Sequence, residues 1–501
     1  MTSFKPLALV YLVLVCFFSC KTDSNSTVTE DTTSPYADFV TQMTSQGIPT
    51  GNILVYENGE VVFKSSNGLR SINPMDSLDL NSQFRLASVS KQFTGMAIMK
   101  LKEAGQLDYD QKVNTILPEF PYDNISVRQL LHHVSGLTDY ERLMAMHWTP
   151  EDSTKTYLLG NDEVLKEFYR VGPELDFQPG ERWEYSNTGY LVLATIIEKI
   201  SGQHLSDFFK EHIFDPVGMT NTTLYKYQEG ADPNMPNRVF GYETALNQKD
   251  NKLNDYHFLN AVRGDGGVYS TLQDLYKWNM ALANYTIISK DYLDEAWTSG
   301  KTNDGEYTGY GFGWFLEYNP GEPKVVSHSG GWVGFATFLH NEVEDKSGFI
   351  VLTNNSAETY ANVMSAMGSI REGKPFELRK PSIKNTVAEH IFTEDIDKAI
   401  AHYKDLKANH ADDYNFDESE LNILGYGLIN ENRVDDALKI FKLNVDMYPD
   451  SANPYDSYAD ALILKGDSLK ALENYKTCFA MDSTLQYAKD KAEALEVALK
   501  K

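Results

Sequence analysis

The sequence predicts an α/β fold in which one antiparallel sheet is flanked by helices, followed by an all-α helical region. Three observations predict it. An Asn58-Gly59 pair separates two apolar, strand-like runs early in the chain, and three more such runs crowd between Val325 and Thr353. From about Asn385 the chain changes to Ala, Leu, Tyr and Lys at helical spacing. At 501 residues it is long enough for more than one domain.

The amino-terminal end comes first. Lys5 precedes an unbroken apolar run from Leu7 to Phe18, then Ser19-Cys20 and a polar stretch. About a dozen apolar residues are too few to span a bilayer comfortably, but they suit the core of a signal peptide. Phe17-Phe18-Ser19-Cys20 resembles a bacterial lipobox, which implies cleavage after residue 19 and a lipid on Cys20. The expectation is an exported lipoprotein, membrane-anchored in the cell envelope, with a plain signal peptide as the alternative. Residues 20–35, rich in Ser, Thr and Asp, read as its tether.

Cys16, Cys20 and Cys478 are the whole cysteine complement, too few for a disulfide framework or a cysteine metal site. A formal charge of −26 leaves no basic stripe for a nucleic-acid backbone. Neither a metal nor another cofactor is expected.

Residues 36–375 read as one α/β unit. Asn52–Tyr56 and Val61–Lys64 form a hairpin about Asn58-Gly59, because Asn-Gly supplies the positive φ angles of a tight turn. Ser88 to Ala104 is a helix stopped by Gly105, and Tyr190–Ile200 and Asp274–Leu282 are helices as well. Val325–His328, Val333–Leu339 and Phe349–Thr353 are strands expected to share a sheet with the early hairpin. Residues 376–390 read as a linker and 391–501 as a helical domain. There Ala437 and Phe441 recur as Ala471 and Tyr475, and Leu424 as Tyr458, at a step of 34. With Gly425 and Pro449, this pattern resembles the tetratricopeptide repeat, with an irregular earlier copy at Ala399 and Tyr403. That resemblance implies a protein partner for the tail.

Three elements carry chemistry. In Phe84-Arg85-Leu86-Ala87-Ser88-Val89-Ser90-Lys91, Ser88 and Lys91 stand one turn apart on one helix face. Lys91 can therefore reach a hydroxyl that is otherwise a poor nucleophile. Tyr185-Ser186-Asn187 follows about a hundred residues later, offering a phenol to carry the proton and an amide for a substrate amide. His328-Ser329-Gly330-Gly331 supplies polar residues and glycines on an edge strand, where backbone N–H groups can meet a substrate carbonyl. Each match alone recurs by chance; their order is the signal.

Together they resemble the serine β-lactamase and penicillin-binding-protein superfamily, on its class C side, which includes D-alanyl-D-alanine peptidases and carboxylesterases. Leu130–Leu137, Ile213–Met219 and Gly264–Ser270 add to the resemblance in the same order. It implies a β-lactamase/transpeptidase-like fold, with Ser88 as acylated nucleophile and Lys91 and Tyr185 as its base pair, either of which can take the proton. Asn187, His328, Ser329, Gly330 and Gly331 are then substrate-binding, with the N–H groups of Ser88 and Gly331 as oxyanion hole. His328 stands where class C β-lactamases carry lysine. Charging near pH 6.5, it is expected to serve as a titrating anchor for anionic substrates. The leading reading is a hydrolase of D-amino-acid peptides or small esters. A true class C-like β-lactamase and a non-catalytic penicillin-binding sensor are the alternatives. Specificity is assigned to Asp139–Arg170 and Tyr225–Arg263.

Overall fold

The computed structural model describes residues 34–226, 235–319, 321–355 and 357–500. The signal segment, Cys20 and the tether up to residue 33 lie outside the described residues. No described helix is long and apolar enough to cross a membrane.

Helix Pro35–Ser45 opens the unit, its first turn capped by Ser34, whose hydroxyl accepts from the Ala37 amide. Strands Gly51–Glu57 and Glu60–Asn67 follow, turning at Asn58 and Gly59 with φ of 50° and 82°. The expected sharing of one sheet holds. Six antiparallel strands lie in the order Phe315–Leu316, Val325–Trp332, Phe335–Glu342, Ser347–Thr353, Gly51–Glu57, Glu60–Asn67. The first long strand and the last are neighbours, with Ile53 opposite Val351.

Both faces of this sheet are covered. Ile53, Val55, Phe63 and Val351 point to one face, against Phe39 and Met43 of the first helix and Val363 and Met367 of helix Ala357–Arg371. Leu54, Tyr56, Ile350 and Leu352 point to the other, into the main helical core around Phe93, Trp278 and Trp314. Alternate residues of one strand thus enter two cores, and a one-residue slip would exchange them. Each buried side chain of this size is worth about 1.5–3 kcal/mol, so register is strongly specified.

Helix Lys91–Glu103 lies almost wholly buried in the main core, preceded by a 3₁₀ turn over Ala87–Ser90 and closed at Gly105 with φ of 68°. The helices expected at 190–200 and 274–282 run Asn187–Ser201 and Leu272–Ala283, each capped by a hydroxyl, Ser186 and Thr271. Of the two specificity segments, the first carries helices Tyr140–His147 and Asn161–Val171. The second carries a small hairpin, Tyr242–Thr244 with Asn251–Leu253.

Two boundaries differ from the sequence reading. The strand expected to stop at His328 continues to Trp332, because Gly330 and Gly331 pair with Thr337 and Ala336; Val333 instead forms the turn, with φ of 45°. The stretch read as linker 376–390 contains most of helix Ile383–Thr393, whose Ile383, Val387 and Ala388 are buried in the helical region's core.

That region continues through Ile396–Asn409, Glu418–Asn430, Val434–Met447, Asn453–Leu464, Ser468–Met481 and Gln486–Leu499. Val434–Met447 recurs as Ser468–Met481, a step of 34, with Ala437, Phe441, Ala471 and Tyr475 all buried. Ala399 and Tyr403 occupy buried positions of an earlier helix, offset by the longer connection 410–417. The region touches the catalytic unit at the small hairpin, where Leu246 packs on its core and Lys252 pairs with Glu431.

Candidate active site

Ser88 follows directly on Ala87, whose φ of 48° is unusual for a residue with a side chain. Such conformations cost about 1–3 kcal/mol and persist where surroundings over-determine them. The preceding residue is clamped accordingly: the Leu86 N–H donates to the Val268 carbonyl at 2.8 Å, and the Leu86 carbonyl accepts from Thr337 Oγ1 at 2.8 Å. Gly330 is required by the same contact, since a Cβ there would stand 2.1 Å from the Leu86 oxygen. The neighbouring Ser90 is fully buried and accepts from the Val268 N–H. Ser88 alone of the two opens on the cavity.

Lys91 is fully buried, and its Nζ lies 3.2 Å from Ser88 Oγ, 2.8 Å from Asn187 Oδ1 and 2.9 Å from the Asp265 carbonyl. Three acceptors match the three hydrogens of an ammonium. Asn187, first residue of its helix, donates its Nδ2 to Glu141 Oε1 at 3.0 Å. Serine, lysine, asparagine and glutamate thus form one chain of polar contacts.

The predicted Tyr185 lies beside this chain. Lys91 Nζ stands 4.9 Å from its ring centroid, while its buried hydroxyl has no partner among the described residues. The ring packs against His133 at 4.3 Å. Hydrogen bonds of this kind commonly tighten only once substrate is bound.

The strand Val325–Trp332 forms the opposite wall. Its outer neighbour, Phe315–Leu316, pairs with Ser327 and Val326, and among the described residues no strand pairs with the outer edge beyond Ser327. Gly331 is exposed there and shares with Ser88, Glu141, Asn187, Asp265 and Trp332 a cavity of about 40 Å³. That volume admits water and leaves a substrate to part the rim. Ser329 points to solvent.

His328 does not behave as expected. Residue alternation turns it inward, 1% exposed, among Tyr185, Tyr310 and Phe315. Burial first, then the Lys91 charge, lowers its pKa to about 3. It is therefore neutral and cannot be an anchor that charges near pH 6.5.

Several site residues went unassigned by sequence reasoning. His133 is fully buried and held well below the usual histidine range by desolvation; its Nδ1 accepts from the Ser186 N–H. Asp265 gives Lys91 its carbonyl and accepts from the Tyr140 hydroxyl at 2.8 Å. Glu141 is pushed up to about 7, chiefly by burial and then by Asp139 and Asp265, against the opposing pull of Lys91 and Asn187. His133 and Asp265 fall inside segments that carried the resemblance, and Glu141 lies four residues past one of them. Among the described residues no group of side chains could hold a metal ion.

The chain matches the Beta-lactamase family over residues 37–365. Penicillin-binding protein 4* of Bacillus subtilis is 35% identical over 348 residues, covering 68% of this chain and 76% of its own. Of solved structures, the penicillin binding protein from Bacillus halodurans superposes with a TM-score of 0.57 at 25% identity, over 66% of this chain and 98% of its own. The octameric penicillin-binding protein homologue from Pyrococcus abyssi gives 0.55 at 26%, over 68% and 77%. With a serine that shares its cavity with an exposed strand glycine and contacts a buried lysine, this chain belongs to the beta-lactamase family as a serine hydrolase of the penicillin-binding-protein type.

Proposed function

We propose that the enzyme cleaves D-amino-acid peptides or small esters through an acyl-Ser88 intermediate. The observation that carries this reading is Lys91 Nζ lying between Ser88 Oγ and Asn187, across the cavity from Gly331. Ser88 Oγ adds to the substrate carbonyl as its proton passes to the base of the Lys91–Tyr185 pair, either Lys91 as the free amine or Tyr185 as the phenolate beside the Lys91 ammonium. The N–H groups of Ser88 and Gly331 receive the oxyanion. The C–N or C–O bond breaks as the leaving amine or alkoxide takes that proton. Water then adds to the acyl carbon, the acid departs, and the proton returns to Ser88.

The β-lactamase reading is weaker. A penicillin carries a carboxylate, and the histidine that stands in place of lysine is neutral and buried. Slow acylation by penicillin, in keeping with the name of the Bacillus subtilis relative, fits a peptidase or esterase better than rapid turnover does. Intact-protein mass spectrometry after a fluorophosphonate, a penicillin and an acyl-D-Ala-D-Ala peptide tests this. The fluorophosphonate adduct should sit on Ser88, disappear in Ser88→Ala and persist in Ser90→Ala. Fast, complete hydrolysis of a chromogenic cephalosporin would favour the β-lactamase.

Two further parts of the reading rest on sequence. Lipidation of Cys20 would place the enzyme in the cell envelope; the native protein should then enter the detergent phase, and Cys20→Ser should not. The 34-residue recurrence supports a tetratricopeptide-like tail that binds a protein partner.

A further inference from the structure

We infer that Glu141 is the site's anchor for a substrate ammonium, so that the preferred substrates are amides or short peptides with a free α-amino group; this rests on the acyl-Ser88 reading.

The charges around the cavity argue for it. Two carboxylates border it on the Asn187 side, Glu141 and Asp265. Asp265 is 8% exposed; its Oδ2 is taken by Tyr140, and its Oδ1 is buried without a partner among the described residues. Glu141 accepts one hydrogen bond, from Asn187, and no described cation comes within ion-pairing distance of it. Lys91 does not supply that pairing, because its Nζ is engaged with Ser88, Asn187 and the Asp265 carbonyl. Arg85 lines the cavity too; its Nη2 donates to the Asn260 carbonyl, its Nε and Nη1 have no partner among the described residues, and its guanidinium lies over the rings of Tyr225 and Trp332 without pairing to Glu141. His328 and His133 are neutral.

A partly buried carboxylate beside the nucleophile, short of a counter-charge, is costly in an empty site and is relieved by a cation. Burial and the neighbouring acids Asp139 and Asp265 raise Glu141 to about 7, as such a shortfall requires. The acyl carbon must sit at Ser88, and Asn187 lies between Ser88's lysine and Glu141. Glu141, which lines the same cavity as Ser88, is therefore placed to meet an amino group on the acyl side of the scissile bond. A substrate carboxylate at this place would meet like charge.

The test compares D-alanine p-nitroanilide with its N-acetyl derivative, on the full chain, for wild type and Glu141→Gln. Glutamine can still accept from Asn187, so the Asn187 contact is preserved and only the charge is lost. Wild type should favour the free amine, and the ratio of kcat/KM values should fall roughly 30-fold in the variant, as for a hydrogen bond to a charged group. In wild type the ratio should rise as pH increases towards about 7, where Glu141 ionises, and decline where the substrate amine deprotonates, near 8; in the variant the lower limb should vanish. Equal losses on both substrates would reduce Glu141 to holding Asn187 and overturn the proposal. So would a wild-type preference for the acetylated substrate. Fluorophosphonate labelling of Ser88, run alongside in both proteins, separates the two levels. Labelled protein with an unmoved ratio sinks the anchor alone, whereas absence of any Ser88 adduct in wild type sinks the hydrolase reading with it.

Discussion

The Tyr310 hydroxyl and His328 Nε2 lie 2.8 Å apart, and the other ring nitrogen, Nδ1, lies 2.6 Å from the Ser329 carbonyl. A carbonyl only accepts, so Nδ1 carries the proton and Nε2 receives the tyrosine hydrogen. Both nitrogens are satisfied by a neutral ring, which a lysine could not imitate.

Because this imidazole stays neutral above about pH 3, replacing it should not move the pH dependence of substrate choice. The ratio of activities on a carboxylate peptide and a neutral ester should keep its midpoint in His328→Gln between about pH 5 and 8, a range spanning the ordinary histidine pKa. A midpoint displaced in the variant would mean that the imidazole titrates within that range.

Tyr185 and Lys91 should separate in stability while agreeing in catalysis. Removal of either is expected to slow acylation about a hundredfold or more. Tyr185→Phe removes a buried hydroxyl that has no partner among the described residues, so its urea midpoint should stay or rise. Lys91→Ala strips the donor from Asn187 Oδ1 and the Asp265 carbonyl and should cost about 1–3 kcal/mol. Stopped-flow acylation with parallel denaturation checks both. A Tyr185→Phe enzyme working at wild-type rate would remove the phenol from the mechanism.

The buried histidines should make the fold acid-sensitive. His328 is lowered to about 3 and His132 to about 4, both chiefly by burial, against an unfolded value near 6.5. The unfolded chain therefore binds more protons as pH drops below 6.5, and stability is lost from there towards the folded values. Urea midpoints at pH 7.5 and 5 should differ, and His132→Gln should narrow the gap. Glu141, raised to about 7, works in the opposite sense, so the comparison of single variants is the informative one. An unchanged gap would mean that His132 binds no extra proton on unfolding.

Removal of the chain after Lys380 should leave Ser88 reactive, since every residue of the cavity lies earlier. The small hairpin Tyr242–Leu253 should lose protection in hydrogen exchange, because Leu246 and Lys252 lose their partners. A folded truncate that no longer labels would show that the helical region shapes the cavity through this hairpin.

Local signals were the legible ones. Asn58-Gly59 names its own turn, and the spacing from Ser88 to Lys91 places both on one face before any tertiary fact is known. The orientation of His328 was not legible, because which face a strand residue takes depends on register, and register came from the pairing of His328 with Leu339. The glycines at 330 and 331 read as a strand end, whereas close approach to Leu86 explains the first of them. Glu141 stood in a segment to which only specificity was assigned. Its meeting with Asn187, 46 residues away, requires the helices to be assembled first. The linker assignment failed for a simpler reason: Ile383, Val387 and Ala388 form a short apolar stripe of their own.

The first helix, Pro35–Ser45, and the last of the catalytic unit, Ala357–Arg371, share one small core on the same side of the sheet, where Phe39 meets Val363 and Met367. Leu86 and Val89, on either side of Ser88, and the helix that follows belong to the core on the other side. Chain therefore enters and leaves this unit from its back. The two helices by which the chain joins this unit are on the face away from Ser88. The six strands thus act as a partition between the unit's chain ends and its chemistry.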